Sequence, residues 1–135
     1  MKFYVDTCVY LNLWKREESI LPFWKLAKDF FEKHNDATFY YSGFVLKELK
    51  FILSEDVFER KRKLFIHSPN FQRMFLSDKE YGEAQRLDKQ LGVGFFDIIH
   101  LLLAKKSNSV LVTRDNELLR ASKKFFVKAG KPEEL

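Results

Sequence analysis

The segment from Phe95 to Ala104, Phe-Phe-Asp-Ile-Ile-His-Leu-Leu-Leu-Ala, is apolar on nearly every side and restricts the fold more than any other part of the chain. A helix with no polar face must be covered all round, yet this one falls well short of the roughly 20 residues that cross a bilayer. It therefore reads as a central helix buried in a globular core. Ser109 to Thr113 follows as a short β-branched run, the pattern of an interior strand. An acid marks each end of the pair: Asp97 in the first helical turn and Asp115 just beyond the strand. Carboxylates at the edges of a core, rather than on a solvated face, need a partner.

The chain has 135 residues, the size of a single domain over 1–135 with a real core. It is 46% hydrophobic with 15 Phe, which excludes disorder, and 32% charged, which excludes a membrane protein. The opening Met-Lys-Phe-Tyr-Val-Asp meets an acid too early for a signal peptide, so a soluble, cytoplasmic protein is expected. Cys8, the sole cysteine, can form no internal disulfide and supports no thiolate metal site. The net charge of +5 favours polyanionic partners without identifying one.

Lys2 to Val5 reads as a strand ending at Asp6, and Thr7 to Trp14 as a helical turn packing beyond it. Glu17 to Ile20 is a polar break, and Pro22 suits the first turn of a helix through Trp24, Ala27, Phe30, Phe31 and His34. Thr38 to Tyr41 is an aromatic strand, and Ser42 caps the next helix, whose apolar side carries Phe44, Val45, Leu49, Ile52 and Leu53. Glu48, four residues from both Phe44 and Ile52, lies on that apolar stripe. A further helix starts at Ser54 or Glu55 and includes the basic run Arg60 to Lys63. Phe71 to Leu76 holds a short strand. Ser77 to Glu80 forms a capping box for a helix that Gly92 stops. Beyond the opening segment, Asn116 to Lys124 is a helix, Phe125 to Val127 a last edge strand, and Gly130 to Pro132 a fraying tail.

Strands alternating with helices predict a parallel sheet covered on both faces, with its ligand crevice at the carboxyl ends of the strands. Asp6 and Asp115 sit at such ends, and the helices carrying Asp97 and Glu48 pack there. Converging carboxylates repel one another unless basic partners or a divalent cation relieve them. An all-oxygen donor set suits Mg²⁺ or Mn²⁺, and in a basic protein it suggests phosphodiester hydrolysis.

Val-Asp-Thr at Val5 to Thr7, Glu48 in Ser-Gly-Phe-Val-Leu-Lys-Glu-Leu, Phe-Asp-Ile-Ile-His-Leu-Leu-Leu-Ala at Phe96 to Ala104 and Leu-Val-Thr-Arg-Asp at Leu111 to Asp115 together resemble the PIN domain. This is the nuclease fold of VapC-type toxins in bacterial and archaeal toxin–antitoxin pairs. The resemblance covers nearly the whole chain and all four acids in order. It implies a three-layer α/β/α fold with a central, mostly parallel sheet. It also implies that Asp6, Glu48, Asp97 and Asp115 are the catalytic, metal-binding acids of a Mg²⁺- or Mn²⁺-dependent endoribonuclease. Thr7 and Thr113 match supporting hydroxyls, and Glu117 matches a further metal-binding acid. The implied reaction leaves a 5′-phosphate and a 3′-hydroxyl. The implied partners are RNA, a small antitoxin protein and a second copy in a homodimer. Cys8 departs from the pattern, standing where many relatives have Asn.

Each residue also has a structural role open to it. Asp6 and Asp115 can cap helices, Asp97 can complement a helix dipole, and Glu48 can be solvated. His100, a lone histidine on an apolar helix, is expected to be a packing residue, with a hydrogen bond to Asp97 as its functional alternative. Cys8 is expected to be a small buried filler. Arg114, beside Asp115, is placed to hold the substrate backbone. Two other functions stand against the nuclease: a non-catalytic RNA-binding or scaffold module of the same fold, and a haloacid-dehalogenase-like phosphatase. The latter wants a second Asp where Cys8 stands.

Overall fold

A computed structural model describes residues 1–15 and 22–135, so the polar break at Glu17 to Ile20 lies outside the described residues. The elements in order are β1 (Lys2–Val5), α1 (Thr7–Lys15), α2 (Phe23–Lys33), β2 (Thr38–Ser42), α3 (Gly43–Ile52), α4 (Glu55–His67) and β3 (Phe71–Met74). There follow α5 (Asp78–Leu91), α6 (Phe95–Lys106), β4 (Val110–Val112), α7 (Asn116–Lys124), β5 (Ala129–Gly130) and a 3-10 turn over Pro132–Glu134. The five strands form one sheet in the order β3-β2-β1-β4-β5, and every pairing is parallel. This is an α/β fold with a parallel central sheet flanked by helices.

Strand alternation sorts the core into two layers. Phe3, Phe39 and Phe71 occupy matching register positions on β1, β2 and β3, and their rings stack at 5.9 and 5.2 Å. Phe30 of α2 meets Phe3 edge-on at 5.0 Å, so α2 covers this face. Tyr4 points the other way, to His100 of α6. α6 is accordingly buried at Ile98, Ile99, His100, Leu101, Leu103 and Ala104.

Local signals set most boundaries. The Ser42 hydroxyl accepts from Val45 N at 3.4 Å to start α3. Ser77 and Glu80 form the reciprocal capping box of α5, and Gly92, at φ 62°, ends that helix in the left-handed region. Pro22 stands at the N-cap of α2 rather than within its first turn.

The last part of the chain differs from its sequence reading. Phe125 to Val127 is not a strand: Phe125 closes α7, and Phe126 takes a φ of 57° with its ring 93% exposed. The edge strand is Ala129–Gly130, placed by parallel pairing with Leu111 and Val112. The expected fraying tail is docked instead. Pro132 is buried, Glu133 pairs with Arg114, and the Leu135 carbonyl accepts from Lys33 Nζ at 3.0 Å.

The sheet order locates the crevice. The chain moves outward from β1 through β2 to β3, then returns to the opposite side of β1 with β4. Between β1 and β4 the connections leave in opposite directions, which opens a gap at the carboxyl ends of those two strands.

Candidate metal centre

Asp6, Glu48, Asp97 and Asp115 line a single crevice of about 410 Å³ at this gap, with Thr7, Cys8, His100 and Arg114 in its walls. Asp6 directly follows β1, and its N–H donates to the Val112 carbonyl at 2.9 Å, so its backbone belongs to the sheet. Its carboxylate accepts from Thr7 N at 2.8 Å, from the Thr113 hydroxyl at 2.8 Å and from the Cys8 thiol at 3.4 Å. Asp6 is fixed from three sides.

Glu48 reaches the same crevice from the apolar stripe of α3. It accepts from the Thr7 hydroxyl at 3.1 Å and meets His100 Nε2 at 3.0 Å. His100 Nδ1 lies 2.8 Å from the Tyr4 hydroxyl, which lies 2.8 Å from the Ser42 hydroxyl. The chain Ser42–Tyr4–His100–Glu48 thus runs from the sheet interior to the crevice. A neutral ring donating from Nε2 and a doubly protonated ring both satisfy it, because the two hydroxyls can turn. Burial works against charge on the ring. The hydrogen bond to Glu48 and the charges of Asp6, Glu48 and Asp97 outweigh it, raising the affinity of His100 for a proton above the ordinary value. His100 is therefore a buried link whose partner in the crevice is Glu48, with Asp6 at 3.7 Å, and not Asp97.

The other two acids stand at helix starts. Asp115 is exposed and caps α7, accepting from Glu117 N at 2.9 Å and Leu118 N at 3.4 Å. Its own N–H donates to the Thr113 hydroxyl at 3.1 Å, so Thr113 links Asp115 to Asp6. Asp97 follows Gly94, the N-cap of α6, whose φ of 112° is a conformation side chains disfavour. No donor among the described residues hydrogen-bonds the Asp97 carboxylate. Burial, then the charges of Asp115 and Asp6, push its carboxyl up to about 6.

The remaining residues are placed as follows. Glu117 is exposed in the first turn of α7, outside the crevice lining, and its charge adds weakly to the pressure on Asp97. Cys8 is only partly buried; burial and the neighbouring Asp6 push its thiol up to about 12, so it acts here as a neutral donor rather than a filler. Arg114 reaches the crevice wall, but its guanidinium pairs with both Glu133 oxygens, at 2.7 and 3.0 Å, and lies over the Phe23 ring at 4.2 Å. It is a held group, not a free arm. Burial opposes ionisation of Glu133, yet the bonds from Arg114 prevail and keep that carboxyl below its ordinary range.

The donor set fits a hard divalent cation. Four carboxylates share one crevice, and the one guanidinium in its wall is neutralised by Glu133. As the side chains stand, no three Asp, Glu, His or Cys groups among the described residues are gathered into a coordination shell.

The sequence profile of the PIN domain matches residues 3–124. Among solved structures the chain is similar to FitAcB from Neisseria gonorrhoeae, with 16% identity, a TM-score of 0.67 and coverage of 98% of this chain and 99% of that one. It is likewise similar to VapBC2 from Rickettsia felis bound to a DNA fragment from their promoter, with 21% identity, a TM-score of 0.66 and coverage of 97% and 98%. No curated protein matches it in sequence.

Proposed function

Because this chain belongs to the PIN domain family, whose members are generally nucleases, we propose that it is a Mg²⁺- or Mn²⁺-dependent endoribonuclease, the toxin of a toxin–antitoxin pair. The observation that carries this reading is the convergence of Asp6, Glu48, Asp97 and Asp115 on one crevice, where His100 meets Glu48 and Asp6 but no donor among the described residues reaches Asp97. These four would hold the ion, and Glu117, exposed outside the crevice lining, would join them only by turning toward it. A bound divalent cation would supply Lewis acidity toward the phosphodiester and the attacking water.

The protein's own groups prepare that crevice. Thr113 fixes Asp6 and reaches the backbone of Asp115, while Thr7 and His100 fix Glu48. Arg114 is engaged by both Glu133 oxygens, so it would serve an RNA phosphate only on release from that pair. The similarity to structures such as VapBC2, whose name pairs two components, supports a small antitoxin as partner. A homodimer completes the proposed arrangement.

Incubation of the purified protein with single-stranded RNA tests the reading. Cleavage is expected with Mg²⁺ or Mn²⁺, lost in chelator and in D6N and D97N. Full activity in either variant would overturn it, and salt-sensitive binding without turnover would instead select the non-catalytic module. For the toxin role, expression is expected to arrest growth, and D97N to remove the arrest.

A further inference from the structure

The last turn of α3 leaves a feature that the acid crevice does not use. Phe51 is 91% exposed, and Ile52 and Phe96 are about half exposed beside it. These three line a second hollow of about 550 Å³ with Lys47, Lys50 and Glu48. The hollow shares Glu48, Ile52 and Phe96 with the acid crevice, so the two adjoin. Lys47 and Lys50 are exposed, and neither forms an ion pair among the described residues.

An aromatic ring this exposed, next to a functional crevice, is a surface built to be covered. A protein partner is disfavoured by the lysines on either side, because Lys is depleted from the cores of protein interfaces. Aromatic rings interleaved with free ammonium groups suit single-stranded nucleic acid, whose bases stack while its phosphates meet cations.

We propose that Phe51 and Phe96 form a nucleotide shelf that stacks one unpaired base of single-stranded RNA beside the acid crevice, while Lys47 and Lys50 meet the adjoining phosphates. This rests on the nuclease reading and adds to it the residues that would position the strand outside the acid crevice. Duplex bases stack on each other and keep their faces closed to Phe51.

Fluorescence anisotropy with a short labelled oligouridylate tests the shelf in the D97N background, where turnover is removed. F51A, which alters an exposed side chain and spares the core, is expected to weaken binding about five- to a hundredfold. The K47A/K50A double variant is expected to lower the slope of log affinity against log salt by about 1.4, at about 0.7 per lost phosphate contact. A short RNA duplex is expected to bind more weakly and to be indifferent to F51A. Unchanged oligouridylate affinity in F51A would overturn the shelf while leaving the nuclease reading intact. Loss of self-association in F51A at unchanged RNA affinity would assign this face to a second copy. Absence of all RNA binding in the D97N parent, with no cleavage by the native chain, would overturn the nuclease reading and the shelf together.

Discussion

Replacing Asp97 by Asn should change stability in opposite directions with and without a divalent cation. The Asp97 carboxyl holds its proton up to about 6, against an ordinary 3.8, because it is half-buried and faces Asp115 and Asp6. That gap corresponds to about 3 kcal/mol against ionisation in the folded state, and solvent screening of a half-exposed group reduces it to about 1–1.5 kcal/mol. The sign follows from proton uptake. Between about pH 4 and 6 the unfolded chain has released this proton while the folded chain retains it, so native stability falls as pH rises through that window. D97N lacks the carboxylate and escapes the fall. In chelator near neutral pH it should be more stable than the native chain by about 1 kcal/mol, or about 3–6 °C in Tm, and the difference should vanish below about pH 4. With Mg²⁺ at about 100 times its Kd the native chain should gain about 2.7 kcal/mol, and D97N should gain little. Urea denaturation with and without chelator at both pH values measures all four quantities. A D97N variant less stable than the native chain in chelator, or equally stabilised by Mg²⁺, would refute the argument.

The same carboxyl gives a pH prediction. Asp97 must release its proton to hold a cation, so Mn²⁺ affinity measured by calorimetry should rise as pH passes through about 6; a flat profile across that range would exclude Asp97 as a ligand. The chain through Tyr4 and His100 should behave as a coupled unit. Y4F and H100F should each cost about 1–3 kcal/mol in urea, and a double-mutant cycle should show a coupling of about 0.5 kcal/mol or more. Additive effects would mean the two groups are satisfied independently. At the carboxyl end, E133Q should cost about 0.5–1.5 kcal/mol by weakening the bidentate pair with Arg114. Because the Glu133 carboxyl lies below its ordinary range, that cost should be present above about pH 4.5 and disappear as the pH falls; a cost independent of pH would locate the effect in packing of the 3-10 turn.

Features read correctly from sequence were those decided within a few residues. The capping box of Ser77 and Glu80, the Ser42 cap and the stop at Gly92 involve neighbours, and each element begins or ends where the local chemistry directs. The edge strand is not legible in the sequence because Phe125 to Val127 has the composition of a strand, while the deciding factor lies elsewhere. Phe126 turns through a left-handed conformation after α7, and only then does Ala129 come alongside Leu111. Pairing of Arg114 with Glu133 and docking of Pro132 are tertiary in the same sense. For His100 the sequence carries a signal of its partner. A polar ring on an apolar helix and a carboxylate on the apolar stripe of another helix are each unfavourable alone, and each resolves the other's problem. His100 and Glu48 could have been paired on that ground from sequence.

That pairing also divides the crevice into two unequal halves. Asp6 and Glu48 are held by Thr7, Thr113, Cys8 and His100, so their oxygens are fixed before any ligand arrives. Asp97 has no hydrogen-bond partner of its own among the described residues, and Asp115 spends one oxygen on the start of α7. In the proposed site a fixed pair would set where a cation sits, because ligands already in position lose no freedom on binding. A repelled group would set how strongly the ion is held, because the ion would relieve the repulsion that group meets. The two demands oppose each other if placed on the same side chain: a carboxylate tied down by donors is already compensated. This chain separates them, fixing Asp6 and Glu48 through the sheet and α3, and leaving the unrelieved charge on Asp97 at the start of its most buried helix.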